Sequence, residues 1–80
     1  MVDYDYKIVG EKIYNLRCEK NWSQEELANH LGIDKRKISR YEANVSVPEA
    51  DILVKLAKVF NTSADYLIGI TNVRDHYPYN

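Results

Sequence analysis

Several features that often define small proteins are scarce in this chain of 80 residues. Its one cysteine, Cys18, cannot form an internal disulfide, so packing must stabilise the fold, and a reducing cytoplasm is the simplest compartment. No apolar run reaches the roughly 18 residues of a membrane span, and residues 1–6 are acidic, unlike a secretion signal. We therefore expect neither a membrane span nor a secretion signal. Three glycines, two prolines and 45% hydrophobic residues are typical of one globular domain, too short for a two-domain enzyme.

The chain also lacks an excess of positive charge. Its 11 basic and 12 acidic residues give a net charge of −1, whereas nucleic-acid-binding domains usually have a pI above about 9. The charge is unevenly distributed, however, because residues 35–40 carry four positive charges and no negative one. We expect the acidic residues to avoid this segment. A near-neutral total therefore does not rule out a nucleic-acid ligand.

Apolar residues recur at helical spacing, which predicts an all-α fold of five short helices. The first helix spans Lys7 to about Lys20. Ser23 and Glu26 form a capping box at the start of the second helix, which ends at Gly32. Asp34 is the N-cap of a third helix that runs to about Tyr41. Two short helices joined by a tight turn that contains glycine form a helix-turn-helix.

The rest of the chain predicts a loop and two further helices. Residues 43–48 lack helical periodicity, and a fourth helix follows from about Glu49 to Phe60, although Ser46 and Glu49 could themselves form a capping box. Ser63 is the N-cap of a fifth helix, 64–68, which Gly69 ends. We assign residues 7–69 to one domain, 1–6 to an N-terminal extension and 70–80 to a C-terminal tail.

Several short motifs occur in a defined order along residues 7–69. They are Ser23-Gln24-x-x-Leu27-Ala28, Leu31-Gly32, Ile38-Ser39-x-Tyr41-Glu42, Val47-Pro48, Leu56-Ala57 and Asp65-Tyr66-Leu67-x-Gly69. In these motifs the chain resembles the lambda-repressor/Cro-like helix-turn-helix (XRE) family. The resemblance implies a five-helix, lambda-repressor-like DNA-binding domain that dimerises on a palindromic operator and regulates transcription without a cofactor.

The loop after the third helix departs from the family pattern. The family commonly has Asn-Gly and then a basic residue after the Tyr-Glu pair, where this chain has Ala43-Asn44-Val45. Asn44 can adopt the left-handed conformation of the family glycine. We expect the loop to lack a cation that would contact phosphate.

The third helix can be divided into an inward and an outward face from its period alone. Ile38 and Tyr41 define the inward direction, which places Arg36 opposite them with Ser39 and Arg40 on either side. We expect Arg36 and Arg40 to contact base edges, because a guanidinium can bond both O6 and N7 of guanine. Lys35 and Ser39 would assist, and Lys37 would contact phosphate. The alternative is a solvated cationic face without a ligand.

Three further residues match family positions with defined roles. The resemblance implies that Gln24, in the first turn of the second helix, bonds a DNA phosphate, the alternative being a merely exposed glutamine. It also implies a structural salt bridge between Arg17 and Glu42, which would affect DNA binding only indirectly.

No pattern in the sequence indicates catalysis or a metal site. Cys18 lies opposite the apolar stripe of the first helix, so we expect an exposed thiol; a redox switch is the alternative. His30 and His76 lack partners at metal-ligand spacing. Nucleophile, phosphate-loop and paired-carboxylate motifs are absent, so we predict a protein that is not an enzyme.

Apolar residues near the fourth and fifth helices exceed what a small domain can cover, which predicts a dimer interface formed by Ile52, Val59, Leu67, Ile68 and Ile70. The alternative is ordinary core and rim packing. We expect a cytoplasmic homodimer that binds double-stranded DNA as a repressor. An antitoxin or another protein-binding module of the same fold is the alternative, with residues 70–80 contacting the protein partner.

Overall fold

A computed structural model describes residues 6–69, in which five α-helices and no strands occur. The helices are α1 (Tyr6–Glu19), α2 (Gln24–Leu31), α3 (Lys35–Glu42), α4 (Ala50–Val59) and α5 (Ala64–Leu67). The predicted all-α, five-helix fold is therefore confirmed. Within the described part of the chain, no helix is both long and apolar enough to cross a membrane.

Side-chain caps fix where the short helices begin. At α2 the Ser23 hydroxyl accepts the Glu26 N–H at 3.0 Å, and the Glu26 carboxylate accepts the Ser23 N–H at 2.8 Å. Gly32 ends α2 in the left-handed conformation at φ 71°, and Ser63 accepts the Tyr66 N–H at the start of α5. These predictions are confirmed. The N-cap of α4 is Glu49 rather than Ser46, without a side-chain hydrogen bond, so the second capping box does not form.

One core joins all five helices. Helix α1 packs against α3 and α5, α2 packs against α3 and α4, and α4 packs against α5. The hydrophobic residues that are at least about nine-tenths buried are Val9, Ile13, Leu16, Leu27, Ala28, Leu31, Ile38, Tyr41, Ile52, Leu53, Leu56, Ala57, Phe60 and Leu67. Because α3 contacts α1 and α2, its orientation is fixed by two other helices.

Helix α1 approaches the end of α3 closely at Gly10. A Cβ atom at Gly10 would lie 2.5 Å from the Tyr41 carbonyl oxygen and 2.5 Å from Asn44 Oδ1. Asn44 has φ 61°, as predicted for a residue that replaces the family glycine. Because Gly10 has no side chain, α1 can pack closely against the C-terminal end of α3.

Two residues predicted to be uncovered apolar surface are buried instead. Ile52 is 5% exposed because its helix, α4, packs against both α2 and α5, and Leu67 is 0% exposed because its helix, α5, packs against both α1 and α4. Their expected exposure is therefore wrong. Val59 and Ile68 are partly buried against the core, and Ile70 lies outside the described residues.

Candidate nucleic-acid interface

The third helix presents one polar face to solvent. Ile38 and Tyr41 anchor it in the core, with exposures of 0% and 5%, and burial raises the pKa of the Tyr41 hydroxyl. The five residues predicted to contact DNA from this helix are all exposed: Lys35, Arg36, Lys37, Ser39 and Arg40. The inward direction deduced from the helical period is thus confirmed.

An open groove of about 540 Å³ separates the start of α2 from α3. It brings together four of the predicted contact residues, Gln24, Lys35, Arg36 and Ser39, and its other lining residues are Arg17, Ser23 and Glu25. Lys37 and Arg40 do not line this groove and are exposed elsewhere on α3. The arrangement places the N-terminal end of α2 beside the N-terminal half of α3.

A hydrogen-bonded network holds Arg17, one of the residues that line the groove, in place. Arg17 Nε and Nη2 donate to the two carboxylate oxygens of Glu42 at 2.7 and 3.0 Å, which raises the pKa of the guanidinium. Arg17 Nη1 also donates to the Trp22 carbonyl oxygen at 2.8 Å. The two charged side chains are only 13% and 7% exposed. The pair therefore ties α1 and the α1–α2 connection to the end of α3.

Gln24 belongs to the same network. Its Nε2 donates to Glu42 Oε1 at 3.0 Å, and the residue is half-buried rather than fully exposed. A glutamine amide carries a second Nε2 hydrogen, which points away from Glu42. Because Glu42 holds the amide in place, that hydrogen has a fixed direction beside the groove.

A carboxylate also contacts the cationic face, contrary to the expectation that acidic residues avoid it. Asp34 Oδ1 accepts the Arg36 N–H at 2.8 Å, as expected of the N-cap. The same carboxylate accepts Arg36 Nε at 3.2 Å and Nη2 at 3.0 Å. These hydrogen bonds lower the pKa of Asp34 to about 2, so the pair is fully charged at neutral pH. The sequence signal for this contact is the Asp-x-Arg spacing at the start of a helix.

Stacked aromatic rings hold the start of α2, a contact that the sequence reading missed. The Trp22 and His30 ring centroids are 4.1 Å apart with an interplanar angle of 27°, and Phe60 of the core lies 6.1 Å from Trp22. Trp22 precedes α2 and His30 lies in its last turn, so no helical spacing relates the two residues and the sequence offers no local signal for this contact. In residues 6–69 no three His, Cys, Asp or Glu side chains are placed to hold a metal ion. Cys18 is a free, exposed thiol, as predicted.

Helices α2 and α3 are both capped and are joined at a left-handed glycine. Helix α3 has an anchored inner face and a cationic outer face. Together these features define a helix-turn-helix DNA-binding domain. A family model described as a helix-turn-helix domain matches residues 10–73. The chain belongs to that family, and the resemblance to its lambda-repressor/Cro-like (XRE) type is confirmed by the relatives and solved structures that it matches.

Two curated relatives illustrate the sequence similarity. The HTH-type transcriptional regulator ImmR of Bacillus subtilis is 34% identical over 61 residues, which are 76% of this chain and 48% of ImmR. The HTH-type transcriptional activator BcrR of Enterococcus faecalis is 34% identical over 60 residues, 75% of this chain and 29% of BcrR. The chain thus spans about half the length of ImmR and less of BcrR. Both relatives are named as transcriptional regulators rather than enzymes.

A solved structure illustrates the similarity of fold. The P22 c2 repressor, crystallised in complex with a synthetic operator, superimposes with a TM-score of 0.72 at 30% identity. The match covers 75% of this chain and 91% of that chain. It therefore extends over almost the whole of the c2 chain.

Proposed function

We propose that the chain is a sequence-specific DNA-binding regulator that represses transcription as a dimer on a palindromic operator. The observation that carries the proposal is the exposed cationic face of α3, anchored through Ile38 and Tyr41 and set beside the N-terminus of α2. A recognition helix enters the major groove by its N-terminal residues, and on α3 these residues are Lys35, Arg36 and Lys37.

Phosphate contacts would orient the domain on the duplex. The second Nε2 hydrogen of Gln24 is a donor of fixed direction. The helix dipole at the N-terminus of α2 also favours an anion, an effect that Glu25 and Glu26 in the first turn oppose. Lys37 supplies a cation on the side of α3. Such contacts fix register and give affinity without reading sequence.

Base contacts would come from the outward face of α3. Arg36 and Arg40 each present a guanidinium that can donate two parallel hydrogen bonds to guanine, with Lys35 and Ser39 as additional donors. All four side chains are exposed on one side of the helix. Arg36 and Arg40 are four residues apart, or about one helical turn, so they would meet neighbouring bases.

Alanine variants separate these roles. In fluorescence anisotropy with a selected operator, Arg36→Ala or Arg40→Ala should weaken operator binding about tenfold or more while changing affinity for an unrelated duplex little. Lys37→Ala should weaken both and reduce the salt slope by about one. Lys55→Ala on α4 is a matched control, because Lys55 is also an exposed lysine. If both arginine variants bind operator like wild type, α3 is not the reading helix.

The proposed dimer would use the partly buried residues Val59 and Ile68, together with Ile70. Isologous pairing there would set two recognition helices about 34 Å apart, the spacing of successive major grooves. Val59→Asp should convert a dimer into a monomer in analytical ultracentrifugation. Val54→Asp is the control, because Val54 is 48% exposed and lies about 140° around α4 from Val59. A wild-type chain that binds palindromic DNA as a monomer would contradict this interface.

Repression is supported by the similarity to the P22 c2 repressor, whereas BcrR is named as an activator. A promoter carrying the selected operator, fused to a reporter gene, distinguishes the two outcomes: the proposal predicts lower expression when the protein is present, and higher expression would contradict repression. A module that binds protein and not DNA would show no salt-dependent DNA binding, whereas an antitoxin that also binds its own promoter would show it. The free thiol of Cys18 supports a reducing, cytoplasmic location.

A further inference from the structure

The side chain of Asp34 makes more contacts than a helix cap requires. Its Oδ1 accepts the backbone N–H of Arg36, which completes the cap of α3. Both carboxylate oxygens also accept hydrogen bonds from the Arg36 guanidinium, at 3.2 Å from Nε and 3.0 Å from Nη2. One acidic residue therefore holds both the start of the proposed recognition helix and the side chain proposed to read a base.

We propose that Asp34 is a positioning residue that fixes Arg36 for guanine and lowers the affinity of the domain for unrelated DNA. This inference rests on the proposed function, because it assigns Arg36 to base contact.

The geometry of the guanidinium supports this role. Its N–H donors lie in one rigid plane, and Asp34 occupies the edge formed by Nε and Nη2. The end of the group, formed by Nη1 and the second Nη2 hydrogen, is directed away from the carboxylate. Two parallel donors remain on that end, and guanine O6 and N7 accept such a pair. Asp34 can thus stay bonded while Arg36 contacts a base.

The exposure of the pair supports a role in binding rather than in folding. The Arg36 and Asp34 side chains are 84% and 50% exposed, and ion pairs this open to water contribute little to stability. A free arginine side chain samples many rotamers and loses that freedom on binding. A side chain already held by two hydrogen bonds loses less, and it has fewer ways to contact a wrong base.

The charge of Asp34 adds a second effect. Its carboxylate is ionised at neutral pH, as an aspartate of ordinary pKa also is, and the Arg36 hydrogen bonds lower its pKa further. Glu25 and Asp34 both line a second, neighbouring hollow together with Lys35 and Arg36, so two acidic residues lie among the cations that would meet phosphate. An anion at this site repels the DNA backbone wherever Arg36 finds no guanine, and it therefore weakens sequence-independent binding more than specific binding.

The test uses Asp34→Asn, which preserves the cap because asparagine is as good an N-cap as aspartate. The variant loses the negative charge and the second acceptor. Glu11→Gln is the matched control: it also removes one negative charge, from an exposed site on α1 in the groove that α1 forms with α5. Circular dichroism checks that each variant is folded.

The measurement compares three kinds of duplex across a salt series: the sequence selected by wild type, the same sequence with each guanine pair replaced in turn, and an unrelated sequence. Asp34→Asn should reduce discrimination at one guanine pair about three- to tenfold and raise affinity for the unrelated duplex about twofold or more at low salt. In an Arg36→Ala background, Asp34→Asn should leave base discrimination unchanged. A residue that only caps α3 would leave base discrimination unchanged, because the loss of its charge raises affinity for every duplex alike.

One outcome overturns the inference while leaving the proposed function intact: Asp34→Asn leaves discrimination at its wild-type value at every position. If the variant then raises affinity for every duplex by the same factor, the carboxylate only competes with DNA. A wild-type chain that selects no sequence at all overturns both the proposed function and this inference.

Discussion

We expect the ion pair between Arg17 and Glu42 to be important for the stability of the domain. Replacing Arg17 with methionine keeps the aliphatic stem but removes three hydrogen bonds, two to Glu42 and one to the Trp22 carbonyl. The Glu42 carboxylate, 7% exposed, is then left with the neutral amide of Gln24 as its hydrogen-bond partner in this network. An ionised carboxylate that is buried without a cation is strongly unfavourable.

The expected cost is about 3 kcal/mol, the lower end of what breaking a buried pair costs, because the pair is not fully enclosed. A chain of this size has a total stability of about 4 to 12 kcal/mol. The midpoint of thermal unfolding should therefore fall by roughly 12 to 24 °C. Replacing Arg17 and Glu42 together should cost less than the sum of the single changes, since no unpaired charge then remains.

Urea and thermal unfolding followed by circular dichroism at pH 7 measure these values. Lys55→Met is the control, because it also replaces a cation with methionine, at an exposed site, and should change stability by less than about 0.5 kcal/mol. If Arg17→Met and Glu42→Met each cost less than about 1 kcal/mol, the pair behaves like an ordinary surface ion pair. The Arg17–Glu42 pair would then not tie α1 to α3.

Two further predictions concern packing and ionisation. Gly10→Ala should destabilise the domain by about 1 to 2 kcal/mol despite the better helix propensity of alanine, because its Cβ would clash with the Tyr41 carbonyl and Asn44. Unfolding in urea measures this change. Unchanged stability would show that α1 can shift without cost. The Asp34 carboxyl should titrate at about pH 2 in NMR, below its ordinary 3.8, and Arg36→Ala should raise that value. Since the folded pKa is the lower one, the stabilising contribution of Asp34 is complete above about pH 4 and is lost as the pH falls through 2. An Asp34 pKa near 3.8 in the wild type would mean that the Arg36 contact does not persist in solution.

The fold was predictable because its signals are local. Ser23, Glu26, Gly32 and Ser63 act through hydrogen bonds or dihedral angles within a few residues, and apolar spacing defines the inner face of each helix. Ile38 and Tyr41 show this, since their positions alone oriented the exposed face of α3. Such features need no knowledge of tertiary contacts.

The exposure of Ile52 and Leu67 was not predictable in the same way. Helical spacing tells which residues share a face, but it does not tell how many neighbouring helices cover that face. Helix α4 packs against α2 and α5, and α5 packs against α1 and α4, so Ile52 on α4 and Leu67 on α5 are both buried. A search for a dimer surface must therefore begin from Val59 and Ile68.

The sequence predicted which residues of α3 are exposed and, through the family resemblance, the Arg17–Glu42 ion pair, but it did not predict the other side-chain pairings. The exposed residues of α3 follow from the helical period, whereas the contacts of Gln24 with Glu42 and of Asp34 with Arg36 depend on side-chain rotamers and, for Gln24, on helix packing. Gln24 and Glu42 are 18 residues apart, so no local pattern connects them. Asp34 was assigned only its backbone cap, although the same carboxylate also holds the guanidinium.

Selection of bound sequences from a random pool of double-stranded DNA tests whether α3 reads sequence as part of a dimer. A dimeric, sequence-specific domain should enrich a palindrome whose half-sites are centred about one helical turn, 10 to 10.5 base pairs, apart. Each half-site should contain guanines whose preference is lost in Arg36→Ala or Arg40→Ala. Enrichment of no sequence, or of a motif that both arginine variants select unchanged, would contradict sequence reading by α3.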